Sequence, residues 1–450
     1  MKTAKRFGDA PLHVLAIVCL VHAMATPSMS SDGNVVPPAI EYDFQTPAPM
    51  EKDSLSSLDE VLAYAAVESP ALESAFYDWQ AALERSGYAD SLPKPVVNFG
   101  WFIRSVETRV GPQKGRISFR QSFPWFGTLE ARKDQASEGA EVAFGRYQSE
   151  KLKLFYSVKS AYYDYYYLGR EIALTRENFE LMEFWESVAR TKYKVALRQH
   201  PDIMKAQIEL GKLEDRLLTM ETKIKPTVAR IRALLNLPDS VDLPMPTEIA
   251  TDETDLDGDL IVQEAMANNP DLKSLAHLIR QERAGLLLED KASRPNFSVG
   301  MDYIATGTAV SPAVPESGKD AWIVNVGVDL PIWFGSNDAR EAEAAARVSA
   351  AESRYMDAQN RLEAFIEELI FEYSDALRKM RLYRDGLVPK AEQALNTSYT
   401  AYQAAEADFL YVLDAQRELL AFELEMERAR SDLATHRAEI EMVIGQGLEP

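Results

Sequence analysis

The sequence predicts a mainly α chain with a transmembrane β-barrel portion. A helix, a strand pair, a very long helix and a further helix follow one another in that order, twice. Three observations carry this. Landmark residues recur in one order across two halves, long proline-free stretches carry apolar heptads, and four short segments alternate apolar with polar residues.

The chain opens with Lys2, Lys5 and Arg6 ahead of an apolar run from Leu12 to Ala25, with small residues at Ala23 and Ala25. That layout reads as a secretory signal peptide over residues 1–25, and the run is short for a bilayer span. The single cysteine, Cys19, lies inside it. Val18 is bulky where a lipoprotein signal carries a small residue, which speaks against acylation. The expectation is an exported chain without disulfides, whose residues 26–57 form a proline-bearing tail.

A first repeat over 58–237 and a second over 260–445 are joined by a linker over 238–259. Pro70, Pro95 and Gly100 match Pro270, Pro295 and Gly300 at one constant offset. Trp125-Phe126-Gly127 matches Trp333-Phe334-Gly335 at a larger offset, so the extra residues fall between the strands of the second pair. Tyr193, Ala206, Gln207, Glu209 and Leu210 then match Tyr402, Ala415, Gln416, Glu418 and Leu419. Agreement in one order over whole halves points to duplication.

From Thr128 to Ala196 there is no proline and helix formers dominate, which predicts one helix of about 100 Å. Its counterpart begins near Asn337 and meets Gly386 and Pro389, where a bend or break is expected. The last helix repeats Val412, Leu419, Met426, Leu433 and Ile440 at a spacing of seven. Ala415, Phe422, Ala429, His436 and Val443 follow three positions on. Ile203, Leu210, Leu217, Ile224 and Ile231 do the same in the first half. Such heptads wind helices into supercoils packed knobs-into-holes.

Strands are expected at about 96–105, 116–123, 296–305 and 321–330. Val97, Phe99, Trp101 and Ile103 alternate with Asn98, Gly100 and Arg104; Trp322, Val324, Val326, Val328 and Leu330 alternate with Asn325, Gly327 and Asp329. Aromatic residues gather at the strand ends (Phe123, Trp125, Phe126, Trp322, Trp333, Phe334), like an interfacial girdle. A soluble sheet would need a cover, and the coiled-coil helices leave little to supply one. Four strands cannot close a barrel, and open edges in lipid leave backbone groups unpaired. The chain must therefore oligomerise through its strands, two copies giving eight strands or three giving twelve.

The 49 Lys+Arg stand against 70 Asp+Glu, a net charge of −21 that repels phosphate backbones and makes nucleic acid a poor partner. The 46% hydrophobic and 10% aromatic content excludes a disordered acidic solubiliser.

The doubled layout is joined by Gln-Ser-Phe-Pro-Trp-Phe-Gly at 121–127 and Leu-Pro-Ile-Trp-Phe-Gly at 330–335. Gly-Leu-Val-Pro-Lys-Ala-Glu-Gln-Ala-Leu at 386–395 and Val-Leu-Asp-Ala-Gln-Arg-Glu-Leu at 412–419 complete the set. Over about residues 58–445 the chain resembles the TolC outer-membrane efflux protein family. The resemblance implies a homotrimeric twelve-stranded β-barrel in the outer membrane, continued into the periplasm by an α-helical coiled-coil barrel. It implies a passive exit duct of a tripartite efflux system, fed through a periplasmic adaptor (membrane fusion protein) by an inner-membrane RND-type or ABC pump. The Phe-Pro-Trp-Phe-Gly segment resembles the branch serving heavy-metal cation exporters, and a type I protein secretion duct is the alternative within the family. Ala196 and Ala405 stand where the family usually has glycine after a tyrosine, and the lipidated N-terminal cysteine of part of the family is absent.

No nucleophile–base pair, phosphate loop or metal spacing is visible, so neither an enzyme, a cofactor nor a metal site is expected. After the signal segment the histidines are His200, His277 and His436. His436 sits at a heptad core position, where a packed neutral imidazole is expected. The tyrosines at 162, 163, 165, 166 and 167 read as packing around the waist of the helical body. Function points to the turns before the last helix of each repeat. Glu406, Asp408 and Asp414 surround the second turn, and Asp202 follows Pro201 at the first. In a threefold assembly each carboxylate becomes a ring that favours cations; the plainer reading is solvation of helix ends. The resemblance places a constriction-lining aspartate at Asp414. Tyr411 replaces its usual acidic companion, leaving a single carboxylate ring or an aromatic constriction.

Two readings from other classes compete. A periplasmic adaptor would carry one helical hairpin inserted in a small β-domain, and a structural envelope coiled coil would need no strands with an apolar outer face. The doubled hairpins and the four alternating strands speak against both.

Overall fold

The computed structural model describes residues 55–194, 201–311 and 313–447. The expected signal peptide, most of the tail, Ala196 and His200 lie outside them. The described chain is mostly helical, and none of its helices is long and apolar enough to cross a membrane.

Helix α1 (Leu58–Glu68) starts at Ser57, whose hydroxyl accepts from Glu60 N, and α2 (Pro70–Tyr88) starts with proline at its first position. Strands β1 (Val96–Trp101), β2 (Glu107–Thr108) and β3 (Gly111–Phe123) lead into α3 (Thr128–Lys194), whose 67 residues rise about 100 Å. Helix α4 (Pro201–Leu235) closes the first half. The second half runs α5 (Gly258–Asn268), α6 (Pro270–Ala292), β4 (Asn296–Thr306), β5 (Ala321–Asp329), α7 (Phe334–Leu382), α8 (Val388–Gln403) and α9 (Phe409–Ile444). Asp257 and Asn269 cap α5 and α6 with their side chains.

Between α7 and α8 the expected bend is a single π-turn, Tyr383–Leu387, and the helical path continues through it. The wider turn places Pro389 in the first turn of α8, where a missing N–H breaks no hydrogen bond.

The sheet is antiparallel in the order β1-β3-β4-β5, with β2 pairing the start of β3. Strand β1 stops at Trp101, short of the expected 105. Strand β3 begins at Gly111, earlier than expected, because β2 folds back onto it. Gly111 has φ +134, and a Cβ there would meet Gly307 O at 1.7 Å, so the position admits only glycine. The register places whole rows on one face: Val97, Phe119, Met301 and Val324, then Phe99, Ile117, Tyr303 and Trp322. The alternate rows hold Asn98, Ser118 and Asp302, then Arg120, Gly300 and Asn325. The two rows just named stay open, with Trp101 81% exposed, while at the end of the same face Phe297 stacks on Trp125 at 5.7 Å. β1 and β5 are free edges.

The tyrosine run of α3 does pack. Tyr162, Tyr163 and Tyr165 are buried with Val61, Leu235 and Leu243. This is also where the linker docks. Glu253 pairs with Arg384 in the π-turn, Asp252 pairs with Arg437, and the Tyr373 hydroxyl donates to Asp252 O and Thr254 O at 3.1 and 2.9 Å.

Candidate functional site

The five residues singled out at the turns divide into two groups. Residues 404–408 form the tight turn between α8 and α9, with Ala405 at φ +64. That left-handed conformation costs an alanine roughly 1–2 kcal/mol, which glycine would avoid. It is held because Glu406 N and Ala407 N both donate to Ala401 O, at 2.9 and 3.2 Å, closing the end of α8. Asp408 caps α9 by accepting from Leu410 N at 2.9 Å, with Lys205 of α4 3.8 Å away. Tyr411 and Asp414 stand one turn apart on the same exposed stripe of α9, the Asp414 side chain being 60% exposed. Asp202 does not join them; it is buried in the first turn of α4.

The sequence reading missed the residues that tie this tip together. Arg417 of α9 donates to the buried Glu209 of α4 at 2.5 Å, and its other terminal nitrogen lies 3.5 Å from Asp414. Burial alone would raise the Glu209 pKa, but the Arg417 hydrogen bond and charge, with Lys212 beside it, bring it below the usual carboxylate value. One guanidinium thus joins the second helices of both hairpins and reaches the stripe that carries Asp414. Lys192, near the end of α3, donates to Tyr402 O and Gln403 O at 2.7 and 3.1 Å, a cation at a helix C-terminus. Trp185 stacks on Tyr399 at 5.8 Å, and Tyr402 meets Phe409 at 5.2 Å.

The duplication signalled these places without distinguishing them. Glu209 matches Glu418 and Gln207 matches Gln416 in sequence, yet Glu209 and Gln416 are buried while Gln207 and Glu418 are exposed. Gln416 donates to the Asn178 side chain, and Asn178 donates to Leu174 O at 2.9 Å. The Gln416 Oε1 is buried without a hydrogen-bond partner. A polar residue in a coiled-coil core trades stability for register.

Farther from the turn, Glu427 is a second fixed point. It is 2% exposed and accepts from the Tyr166 hydroxyl at 2.7 Å, Arg170 at 3.1 Å and Arg430 at 3.2 Å. Glu423, one turn closer to the tip, has its pKa raised to about 6 by burial, with Glu177 and Glu392 adding to it. His436 points Nδ1 at Glu372 from 3.3 Å without hydrogen-bond geometry, and no cluster that could hold a metal ion occurs among the described residues. The arrangement offers an acidic, exposed stripe on helices pinned at a few polar points.

A family model described as outer membrane efflux protein matches residues 61–237 and again 261–446. Nodulation protein T of Rhizobium leguminosarum bv. trifolii is 21% identical over 335 residues, 72% of this chain and 70% of that protein. The outer membrane protein VceC of Vibrio cholerae aligns at a TM-score of 0.71 and 17% identity, covering 87% of this chain and 97% of that one. The CmeC outer membrane channel of Campylobacter jejuni aligns at 0.71 and 14% identity, covering 89% and 90%.

Proposed function

The chain belongs to the outer membrane efflux protein family, channels of the outer membrane, and from that premise we propose how this one is built and gated. Three copies join β1 to β5 edge to edge, closing a twelve-stranded barrel whose apolar rows face lipid. The helices continue the duct into the periplasm, where an adaptor and an RND-type or ABC pump deliver the substrate. Residues 1–25 are removed on export, and the repeats at 58–237 and 260–445 are strapped by the linker at 238–259. One observation carries the reading. A four-stranded sheet presents full apolar rows to no partner and keeps two free edges, an arrangement that only closure in a bilayer stabilises.

At the tip, Asp414 forms a ring of carboxylates with Tyr411 beside it, and Arg417–Glu209 holds the helices that carry it. Opening shifts α9 within the supercoil, a two-state repacking biased by the partner. Fractionation tests the assembly. A heat-sensitive trimer band from outer membranes is expected, and release of the chain with the soluble periplasm refutes the proposal.

A further inference from the structure

The polar face of the sheet carries Asp329 at the end of β5, but its middle rows hold two arginines in an acidic protein. The alternation that sends Ile117, Phe119 and Phe123 to one face sends Arg116, Ser118, Arg120 and Ser122 to the other. The carboxylate opposite, Asp302, is 4% exposed and already committed, accepting from Arg116 and from Asn325 at 2.7 Å each. It neutralises one guanidinium. Arg120, exposed, has no ion-pair partner among the described residues. The rest of that face in the rows from Arg116 to Arg120 is uncharged: Val96, Asn98, Gly100, Ser118, Gly300 and Asn325, with Ile304, Ala321 and Ile323. Each protomer therefore brings a net positive charge to the middle of its wall, although the whole chain carries −21.

We infer that Arg116 and Arg120 form an anion-binding belt on the lumen wall of the barrel, suited to polyvalent phosphates or carboxylates. The inference rests on the closed-barrel reading above. Twelve strands spaced about 4.8 Å apart and tilted about 40° close at a backbone radius of about 12 Å. Arginine side chains reach several ångströms inward from that wall. Charges about 6 Å from the axis stand about 10 Å apart, comparable to the Debye length at 0.1 M salt, so the three protomers' charges act on one solute together. Arg116 and Arg120 stand four positions apart on a strand tilted about 40°, a belt about 10 Å deep along the barrel axis. The duct then carries opposite signs in series, carboxylates at the helical tip and guanidinium groups in the barrel.

The test is isothermal titration of the detergent-purified full-length chain with inorganic tripolyphosphate at low ionic strength. Wild type is expected to bind, with affinity lost as salt approaches 1 M, where the screening length falls to about 3 Å. The double variant Arg116→Gln/Arg120→Gln is expected to bind at least tenfold more weakly, and Asp302→Asn, which frees the second guanidinium, more tightly. Arg109→Gln, in the loop beyond the strands, is expected to bind as wild type does. A trimeric wild type that binds no better than the double variant overturns the belt, as does an Arg109→Gln variant that loses binding equally. A wild type that runs as a monomer without heating overturns the barrel beneath it instead.

Discussion

Replacing Glu427 by alanine tests whether the buried polar point on α9 anchors the helix that carries Asp414. Thirteen residues separate the two positions, about 20 Å along the helix axis. The substitution removes the acceptor of three donors, leaving the buried Tyr166 hydroxyl and two guanidinium groups without it. Breaking a buried pair costs about 3–5 kcal/mol. The Arg170 and Arg430 side chains are 35% and 28% exposed and regain some water, so the low end, about 3 kcal/mol, applies. With about 2.1 cal/mol/K of unfolding entropy per residue over roughly 390 described residues, that lowers Tm by about 4 °C. Thermal melts of the detergent-solubilised protein, followed by far-UV circular dichroism, read the shift. Glu343→Ala is the control, since it removes an exposed ion pair with Arg347 and is expected to stay within about 0.5 kcal/mol. A Glu427→Ala protein melting within a degree of wild type would falsify the argument, and so would a control that falls as far.

Asp414→Ala is expected to raise single-channel conductance or weaken cation preference in planar bilayers, and no change in either removes the residue from the constriction. Arg417→Ala, which strands Glu209 and frees α9 from α4, is expected to widen the conducting state; conductance steps matching wild type contradict the tie. Glu423 binds its proton more tightly folded than unfolded, with a pKa of about 6 against an ordinary 4.5. Its contribution to stability is therefore lost as pH rises from about 4.5 through 6 and stays lost above that. Glu423→Gln should exceed wild type by about 1 kcal/mol at pH 8 and match it near pH 4, so parallel melting profiles across that range speak against the assignment. A methyl group on Gly145 would sit 2.7 Å from the Ser274 Cβ, where α3 crosses α6. Gly145→Ala should cost about 1–3 kcal/mol whereas Gly211→Ala, with nothing within 4 Å, should gain about 0.5–1, and the same sign for both rules out the packing argument.

Much of the tip was legible because its signals are local. Asp408 and Asp414 stand around a turn bracketed by heptads; Asp408 caps α9 there and Asp414 lies in the second turn of that helix. Asp202, in the first turn of α4, is buried and so does not join them. Lys192 gave no signal at all. A lysine at the end of a long helix reads as solvent-facing, and only the neighbouring hairpin supplies the carbonyls it caps.

By itself the sequence determined the repeated order of elements, the two faces of the sheet and the helices that supercoil. Periods of two and seven residues are written along the chain and need no partner to be read. The tertiary structure decided which of two equivalent positions goes inside. Glu209 and Gln416 are buried while Gln207 and Glu418 stay exposed, and Asp302 turns to Arg116 with Arg120 left exposed. Those choices join residues far apart in sequence, and they depend on the phase at which helices and strands meet. Local periodicity does not encode that phase; packing does.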